Sequence, residues 1–238
     1  MKYALITGAS GGIGREIALQ LANKGYNLYL HYHENEQNVN ELMKQIKEVS
    51  VWKIKADLSK KAGVEKMLQS IHHPIDSLIL NSGTSYVGLV TDMTDVQVEE
   101  IVQHSVTSPF LITKALLPTM IENKAGNIIV ISSIWGLTGA SCEVLYSMVK
   151  GGQNTFVKAL AKEVAPSGIR VNGIAPGAIA TNMLADFSEE EIDTLCSEIP
   201  MGRLGSPKEV ADLVVFLTSN KSNYINGQII SINGAWYC

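Results

Sequence analysis

The chain has 238 residues, of which 46% are hydrophobic and 18% charged, and its formal net charge is −4. This apolar content can fill a sizeable core, and the acidic balance argues against nucleic acid or an anionic membrane as a partner. Three scattered cysteines, Cys142, Cys196 and Cys238, fit neither a disulfide framework nor a metal site, so reduced thiols in the cytoplasm are expected. No signal peptide or membrane span is predicted.

Strand-like apolar runs alternate with segments of helical period along the whole chain. The predicted strands are Tyr3–Thr7, Asn27–His31, Val51–Lys55, Ser77–Leu80, Asn127–Ser132, Arg170–Ala175 and Gln228–Ile232. The predicted helices are Ile13–Asn23, Asn38–Val49, Gly63–Ile71, Asp95–Ile121, Val144–Val164 and Pro207–Thr218. This order predicts an α/β fold, a doubly wound (Rossmann) parallel sheet of about seven strands with helices on both faces, in one domain spanning residues 1–238.

The stretch after Pro176 is the least regular part of the chain. Its acidic run, Ser188–Glu191, is typical of a capped helix start. A mobile lid over a site is the alternative, because such loops occur at this edge of open α/β sheets.

A glycine-rich turn, Thr7–Gly14, joins the first predicted strand to the first helix. Glycines permit a tight turn and a close approach of the backbone to a ligand, and the helix N-terminus presents free N–H groups to a diphosphate. The turn therefore predicts a dinucleotide site.

The glycine spacing, Thr-Gly-x-x-x-Gly-x-Gly, resembles that of the short-chain dehydrogenase/reductases, and the resemblance covers nearly the whole chain. Asn81-Ser82-Gly83 matches the family's Asn-Ala-Gly segment with one substitution. The resemblance implies that these residues hold the dinucleotide: Gly8, Ser10, Gly12, Ile13, Gly14, Asp57, Leu58, Asn81, Ser82, Gly83, Tyr146, Lys150, Pro176, Gly177, Ile179 and Thr181.

The end of the second strand indicates which dinucleotide is used. A fold that reads NAD needs an acid there for the ribose 2′-hydroxyl, but this chain has Tyr32 and then His33, which could donate to a 2′-phosphate. Gly11, where many NADP-using relatives carry arginine, and the nearby Glu34 argue the other way. NADPH is favoured over NADH.

Tyr146 and Lys150 form the only Tyr-x-x-x-Lys pair, which a helix places on one face. A nearby ammonium is expected to lower the pKa of the phenol. With Ser133 upstream, the pattern resembles the family's catalytic set. The resemblance implies that Tyr146 protonates a carbonyl oxygen, that Ser133 hydrogen-bonds to this oxygen, and that Lys150 lowers the tyrosine pKa and holds the nicotinamide ribose.

One position departs from the family's catalytic pattern. The family commonly has, within a Val-Asn-Leu-Thr-Gly-like stretch, a catalytic asparagine that holds a helix kink and a water of the proton relay. Here Ser105 stands in the place of that asparagine, after His104 in the place of the valine. A hydroxyl offers fewer donors than an amide, so a slower or differently connected relay is expected.

The histidines complete no metal-ligand spacing, and no metal is predicted. His31, His33 and His104 stand alone in the sequence, so surface or hydrogen-bonded core positions are expected for them.

The loop before Tyr146 is predicted to line the substrate pocket through Trp135, Cys142 and Glu143. The broad pattern resembles 3-oxoacyl-[acyl-carrier-protein] reductases, and the details of this loop resemble a bacillar branch, the elongation factor P 5-aminopentanone reductases. The substrate implied is a ketone borne by elongation factor P or, alternatively, by acyl carrier protein. A non-catalytic dinucleotide sensor is a further alternative on the same fold.

Two features suggest more specific roles. Glu143 lies one helical turn before Tyr146, where it could favour an amine-bearing ketone or simply complement the helix dipole. Relatives pair the helices around Tyr146, and the apolar stretches Thr113–Ile121 and Thr155–Val164 predict a homo-oligomer, with a homotetramer favoured.

Overall fold

A seven-stranded parallel sheet organises the computed structural model, which describes residues 1–185 and 187–238. Its strands are β1 (Lys2–Ile6), β2 (Tyr26–Tyr32), β3 (Val51–Lys55), β4 (Ser77–Leu80), β5 (Gly126–Ile131), β6 (Ile169–Pro176) and β7 (Ile229–Ile232). They lie in the order β3-β2-β1-β4-β5-β6-β7, and each neighbouring pair is parallel. The predicted fold class is confirmed.

Helices cover both faces of the sheet. They are α1 (Gly12–Asn23), α2 (Glu36–Gln45), α3 (Lys61–Gln69), α4 (Asp95–Val102), α5 (Ser108–Glu122), α6 (Trp135–Thr138), α7 (Val144–Val164), α8 (Glu189–Glu198) and α9 (Pro207–Thr218). Helices α1, α2 and α9 contribute to one apolar core, and α3, α5 and α7 contribute to the other. The strands are apolar on both sides because each of their faces is covered.

The long helix predicted over Asp95–Ile121 is interrupted. A π-helical segment, Gln103–Thr107, separates α4 from α5. Pro109 has no backbone N–H, so it cannot donate to the carbonyl of Ser105 one turn earlier. That carbonyl instead accepts a 2.7 Å hydrogen bond from Gln153 Nε2 of helix α7. The interruption therefore coincides with the position at which the sequence departs from the family pattern.

The candidate site lies where the strand order reverses. Strands β1 and β4 are neighbours, but their chains continue in opposite directions across the sheet, so a crevice opens beyond their carboxyl ends. The acidic run after Pro176 begins helix α8, where Ser188 and Glu191 form a reciprocal capping box as predicted. Throughout the described ranges, helices long and apolar enough to cross a membrane are absent.

Candidate active site

The glycine-rich turn after β1 is held by a buried histidine. Gly8 adopts a φ of +69°, which glycine accepts without strain, and its N–H donates to His31 Nδ1 at 3.2 Å. His31 Nε2 lies 3.0 Å from the carbonyl of Ala56, so the ring bridges the turn and the end of β3. Burial lowers the pKa of His31 to about 4, which keeps Nδ1 free to accept. The sequence predicted a surface or hydrogen-bonded core position for His31, but not that this side chain joins the glycine-rich turn to the end of β3.

Thr7 and Asn81 join the turn to the end of β4. The Thr7 hydroxyl accepts from the backbone N–H groups of Asn81 and Ser82, each at 2.9 Å. The Asn81 amide donates to the carbonyls of Thr7 and Gly8 at 3.0 and 3.1 Å. Asn81 thus fixes the backbone of the turn rather than projecting freely into the crevice.

The N-terminus of α1 is suited to a diphosphate. Within the described residues, the N-cap residue Gly11 has no side-chain cap, and the first turn carries no acid. A Cβ on Gly12 would lie 3.0 Å from Thr181 Cγ2, so the turn and the loop after β6 approach each other across a narrow cleft. Uncapped N–H groups beside a narrow cleft fit the dinucleotide predicted for this place.

The adenosine side differs from the sequence expectation in one respect. Tyr32 is buried at the end of β2, and His33 Nε2 lies 4.0 Å from Asp57 Oδ2. The end of β2 itself has no carboxylate. The side chain of Asp57, which follows β3, nevertheless brings one beside His33. Burial raises the pKa of Asp57, but hydrogen bonds from Ser59 and the charge of His33 bring it below its usual value. The neighbouring Leu58 is buried.

The loop after β6 borders the opposite end of the crevice. Pro176 ends the strand, its carbonyl accepts from the N–H of Ile134, and the Gly177 N–H donates to Ile232 of β7. Ile179 pairs with Gly205 in a short bridge, which holds the loop in front of α9. These contacts place Pro176, Gly177, Ile179 and Thr181 along one edge of the crevice.

Ser133, Tyr146 and Lys150 are brought together from β5 and α7. The Ser133 hydroxyl accepts from the N–H of Trp135 at 3.2 Å and lies close enough to the Tyr146 phenol to lower its pKa. Lys150 is buried; its Nζ donates to the carbonyl of Ile131 at 2.9 Å and lies 5.5 Å from the centre of the Tyr146 ring. A proton donor, a hydroxyl and an ammonium group therefore converge at one place.

The expected effect of Lys150 on the tyrosine pKa is not found. Burial raises the pKa of Tyr146 to about 12, the hydrogen bond with Ser133 opposes this rise, and the charge of Glu143 adds to it. Burial also lowers the pKa of Lys150 to about 8, so the fraction of Lys150 that is protonated at neutral pH is smaller than for an exposed lysine. Desolvation thus dominates the pair, and the Tyr146 phenol stays protonated at neutral pH.

Ser105 lies buried behind this group, next to a histidine that sequence reasoning did not associate with the site. His104 Nε2 is 3.0 Å from Ser82 Oγ, and His104 Nδ1 is 3.5 Å from Ser105 Oγ. Burial, and secondarily the charge of Lys150, lower the pKa of His104 to about 4. The only sequence signal was its position beside Ser105.

The residues predicted to line the substrate pocket lie between β5 and α7. Trp135 packs edge-on against Trp236 and Tyr237, so the C-terminal segment borders the loop. Cys142 has a φ of +60°, and its carbonyl accepts from the N–H of Gly88 at 2.8 Å.

Glu143 is the N-cap residue of α7, but its side chain makes no cap. It accepts instead from the Ser85 hydroxyl at 3.0 Å.

Over residues 1–185 and 187–238, clusters of three or more potential metal ligands are absent.

Comparisons with known proteins agree on the kind of protein this chain resembles. The family model described as "Enoyl-(Acyl carrier protein) reductase" matches residues 8–235. The chain is 54% identical to the uncharacterized oxidoreductase YmfI of Bacillus subtilis, covering 100% of this chain and 99% of that protein. It is 36% identical to the 3-oxoacyl-[acyl-carrier-protein] reductase FabG of Aquifex aeolicus, over 99% of this chain and 97% of the relative.

Solved structures show the same likeness. The 3-oxoacyl-[acyl-carrier protein] reductase of Brucella melitensis superposes with a TM-score of 0.93 at 30% identity, covering 100% of this chain and 91% of that one. The angucycline C-6 ketoreductase LanV, solved with bound NADP, superposes with a TM-score of 0.92 at 27% identity, over 98% and 94% of the two chains.

Proposed function

The chain belongs to the short-chain dehydrogenase/reductase family, and on that basis we propose that it is an NADPH-dependent reductase of the 5-aminopentanone group on elongation factor P. Residues 1–238 would form its single catalytic domain. The bound dinucleotide would supply the hydride that reduces the ketone carbon. The observation that carries the choice of substrate is the carboxylate of Glu143 beside the catalytic phenol.

Three side chains would handle the proton and the developing charge. Tyr146, whose pKa of about 12 keeps it protonated, gives its proton to the carbonyl oxygen. Ser133, oriented by the Trp135 N–H, donates to the same oxygen as negative charge develops there. Lys150, anchored on the Ile131 carbonyl, supplies positive charge on the side of the nicotinamide ribose.

We expect kcat/KM to be at least about tenfold higher with NADPH than with NADH, since a charge-assisted hydrogen bond contributes about 1.5–3 kcal/mol. His33 is the donor proposed for the 2′-phosphate. Its Nε2 lies 4.0 Å from Asp57 Oδ2, at the adenosine side of the crevice. His33→Ala should remove most of the preference by weakening NADPH alone. Fluorescence titrations with both cofactors check this, and equal or tighter binding of NADH would contradict it.

The surroundings of Glu143 support an amine-bearing substrate. Its carboxylate is partly buried, and its charge reaches Tyr146 strongly enough to raise that group's pKa. Among the described residues, no lysine, arginine or histidine forms an ion pair with it; its partner is the neutral Ser85 hydroxyl. A substrate ammonium would provide the missing countercharge, whereas a fatty acyl chain would leave it uncompensated.

Glu143→Gln tests this choice of substrate. We expect kcat/KM for aminopentanone-modified elongation factor P to fall about tenfold, and that for a 3-oxoacyl carrier protein to change less than about twofold, because only the former loses a charge-assisted contact. Ser85→Ala is the matched control, since it removes the neighbour of Glu143 but keeps the charge. NADPH oxidation is followed with both substrates in parallel. Equal losses for both substrates would mean that Glu143 is structural.

Reduction of 3-oxoacyl-[acyl-carrier-protein] is the second candidate. It is favoured by the 36% identity to the Aquifex aeolicus enzyme of that name over nearly the full length of both chains. The same assay with the wild-type enzyme separates the two candidates. Reduction of the carrier-protein substrate alone would show that the protein is a 3-oxoacyl-[acyl-carrier-protein] reductase.

We expect the protein to be a homo-oligomer in solution, with a homotetramer favoured. Val106, Phe110 and Phe156 border an apolar groove of about 310 Å³ between the π-helical segment, α5 and α7, and Phe110 is 54% exposed. A second copy is the proposed occupant, because a two-fold axis would pair this apolar face with itself. Light scattering that gives the monomer mass of 25.8 kDa at working concentration would overturn this expectation.

The free thiols of Cys142, Cys196 and Cys238 are consistent with a cytoplasmic location.

A further inference from the structure

Two departures from the family pattern, which lie far apart in the sequence, meet in the structure. Ser82 replaces the alanine of the Asn-Ala-Gly segment, and Ser105 replaces the catalytic asparagine. His104 lies between them, with Nε2 at 3.0 Å from Ser82 Oγ and Nδ1 at 3.5 Å from Ser105 Oγ. The three side chains form one hydrogen-bonded row.

The row begins beside Lys150. Gly83, the residue after Ser82, lies so near the lysine that a Cβ on it would be 3.6 Å from Nζ. On the same helix as Lys150, Gln153 donates to the Ser105 carbonyl at 2.7 Å, which ties α7 to the other end of the row. The end of the row at Ser82 therefore adjoins the backbone beside the Lys150 ammonium, and the end at Ser105 is fixed to the helix that carries Lys150.

The other end of the row reaches the surface. Ser105 and Gln153 both line the groove of about 310 Å³ between the π-helical segment and α7. Within the described residues, Gln153 Oε1 is a buried acceptor without a partner, so it can hold a water at the inner end of the groove. Val106 and Phe110 are exposed, whereas Ser105 and Gln153 are buried, so a second copy would cover the apolar rim and leave the polar inner end for water.

The electrostatic surroundings keep His104 uncharged. Burial and the charges of Lys150 and His33 lower its pKa, and Asp57 opposes them, with a net value of about 4. A neutral imidazole has one donor and one acceptor nitrogen, and the two serine hydroxyls can rotate to suit either tautomer. Lys150, whose pKa burial lowers to about 8, can lose and regain a proton near neutral pH.

We propose that Ser82, His104 and Ser105 form a proton relay between the surface groove and Lys150, in place of the relay that the family's asparagine serves. His104 is a positioning residue, because it acts through Lys150 and touches no reacting atom. This inference rests on the ketone reductase reaction but not on which ketone is reduced.

The proton balance of one turnover is simple. Tyr146 gives one proton to the substrate oxygen, and one proton must return from water by way of the Lys150 side. His104 accepts a proton on Nδ1 from the Ser105 side and releases the proton of Nε2 toward Ser82. One proton enters and one leaves, so the ring is neutral before and after, but its proton then lies on Nδ1. A turn of the imidazole ring, together with rotation of the two hydroxyls, restores the starting arrangement.

His104→Val, the residue of the family's Val-Asn-Leu-Thr-Gly stretch, tests the relay with ethyl acetoacetate as the neutral ketone probe and saturating NADPH. We expect the first turnover to stay within about twofold of wild type, because Tyr146 starts protonated, while kcat falls roughly tenfold and its solvent isotope effect rises. Adding Ser105→Asn to this variant restores the family's residues and should recover kcat. Gln103→Ala, in the same π-helical segment, is the matched control and should leave the ratio of first-turnover rate to kcat unchanged.

Equal losses in the first turnover and in kcat, no loss in kcat, or failure of Ser105→Asn to recover it would overturn the relay. A second measurement is independent of turnover: NMR titration of His104 should show its pKa rising in Lys150→Met, and an unchanged titration would also overturn the proposal. If the wild-type enzyme reduced no ketone, the proposed function would fail, and the titration would still decide whether His104 and Lys150 are coupled.

Discussion

Replacing Tyr146 with phenylalanine is expected to lower kcat/KM by about 10²–10⁴-fold, the usual contribution of a positioned general acid. The phenol lies beside Ser133 and Lys150 and is kept protonated by a pKa of about 12. Phenylalanine keeps the ring in place near Lys150, so the affinity for the dinucleotide should stay within about twofold. Steady-state kinetics and a fluorescence titration measure the two quantities separately.

Tyr26→Phe is the matched control for this experiment. It also removes a phenolic hydroxyl, one that lies 3.5 Å from Ser77 Oγ at the far end of β2 and β4, away from the crevice. This control should leave kcat/KM within about twofold of wild type, as expected for a hydroxyl that makes no contact with the reacting groups. If Tyr146→Phe kept more than about a tenth of the wild-type kcat/KM, Tyr146 could not be the proton donor.

Gly14→Ala is expected to cost about 3 kcal/mol of folding free energy, and to weaken dinucleotide binding with it. A Cβ on Gly14 would lie 2.3 Å from the Gly8 carbonyl oxygen and 2.7 Å from Asn81 Nδ2, so the turn must move away from the helix. The figure of about 3 kcal/mol is the net loss, after the gain of about 1 kcal/mol that alanine brings to a helix interior has been subtracted. At roughly 2–4 °C per kcal/mol for a chain of this size, Tm should fall by about 6–12 °C in a thermal unfolding scan.

Gly11→Ala separates this clash from the general effect of removing a glycine. Gly11 has a φ of −84°, and a Cβ there would meet the Gly8 oxygen at 3.6 Å, an ordinary contact. We expect its Tm and its dinucleotide affinity to remain close to those of wild type. If Gly11→Ala lost as much Tm and affinity as Gly14→Ala, the clash with Gly8 would not be the cause. The loss would then come from adding any side chain to the turn.

Local sequence patterns determined the sheet and the approximate positions of the catalytic group. Buried parallel strands are apolar over their whole length, so each strand was found within two residues of its ends, even at the short β4 and β7. The i, i+4 spacing of Tyr146 and Lys150 fixes their common helix face. The capping box at Ser188 likewise depends only on neighbouring residues.

Only the tertiary structure decided the electrostatics and the connections behind the site. Burial, which depends on the whole fold, raises the pKa of Tyr146 against the expected influence of Lys150. The π-helical segment forms because Pro109 withholds an N–H and Gln153, distant in the sequence, takes its place at Ser105. The same long-range packing brings His104 to Ser82, so a residue that the sequence showed as solitary lies within the candidate site.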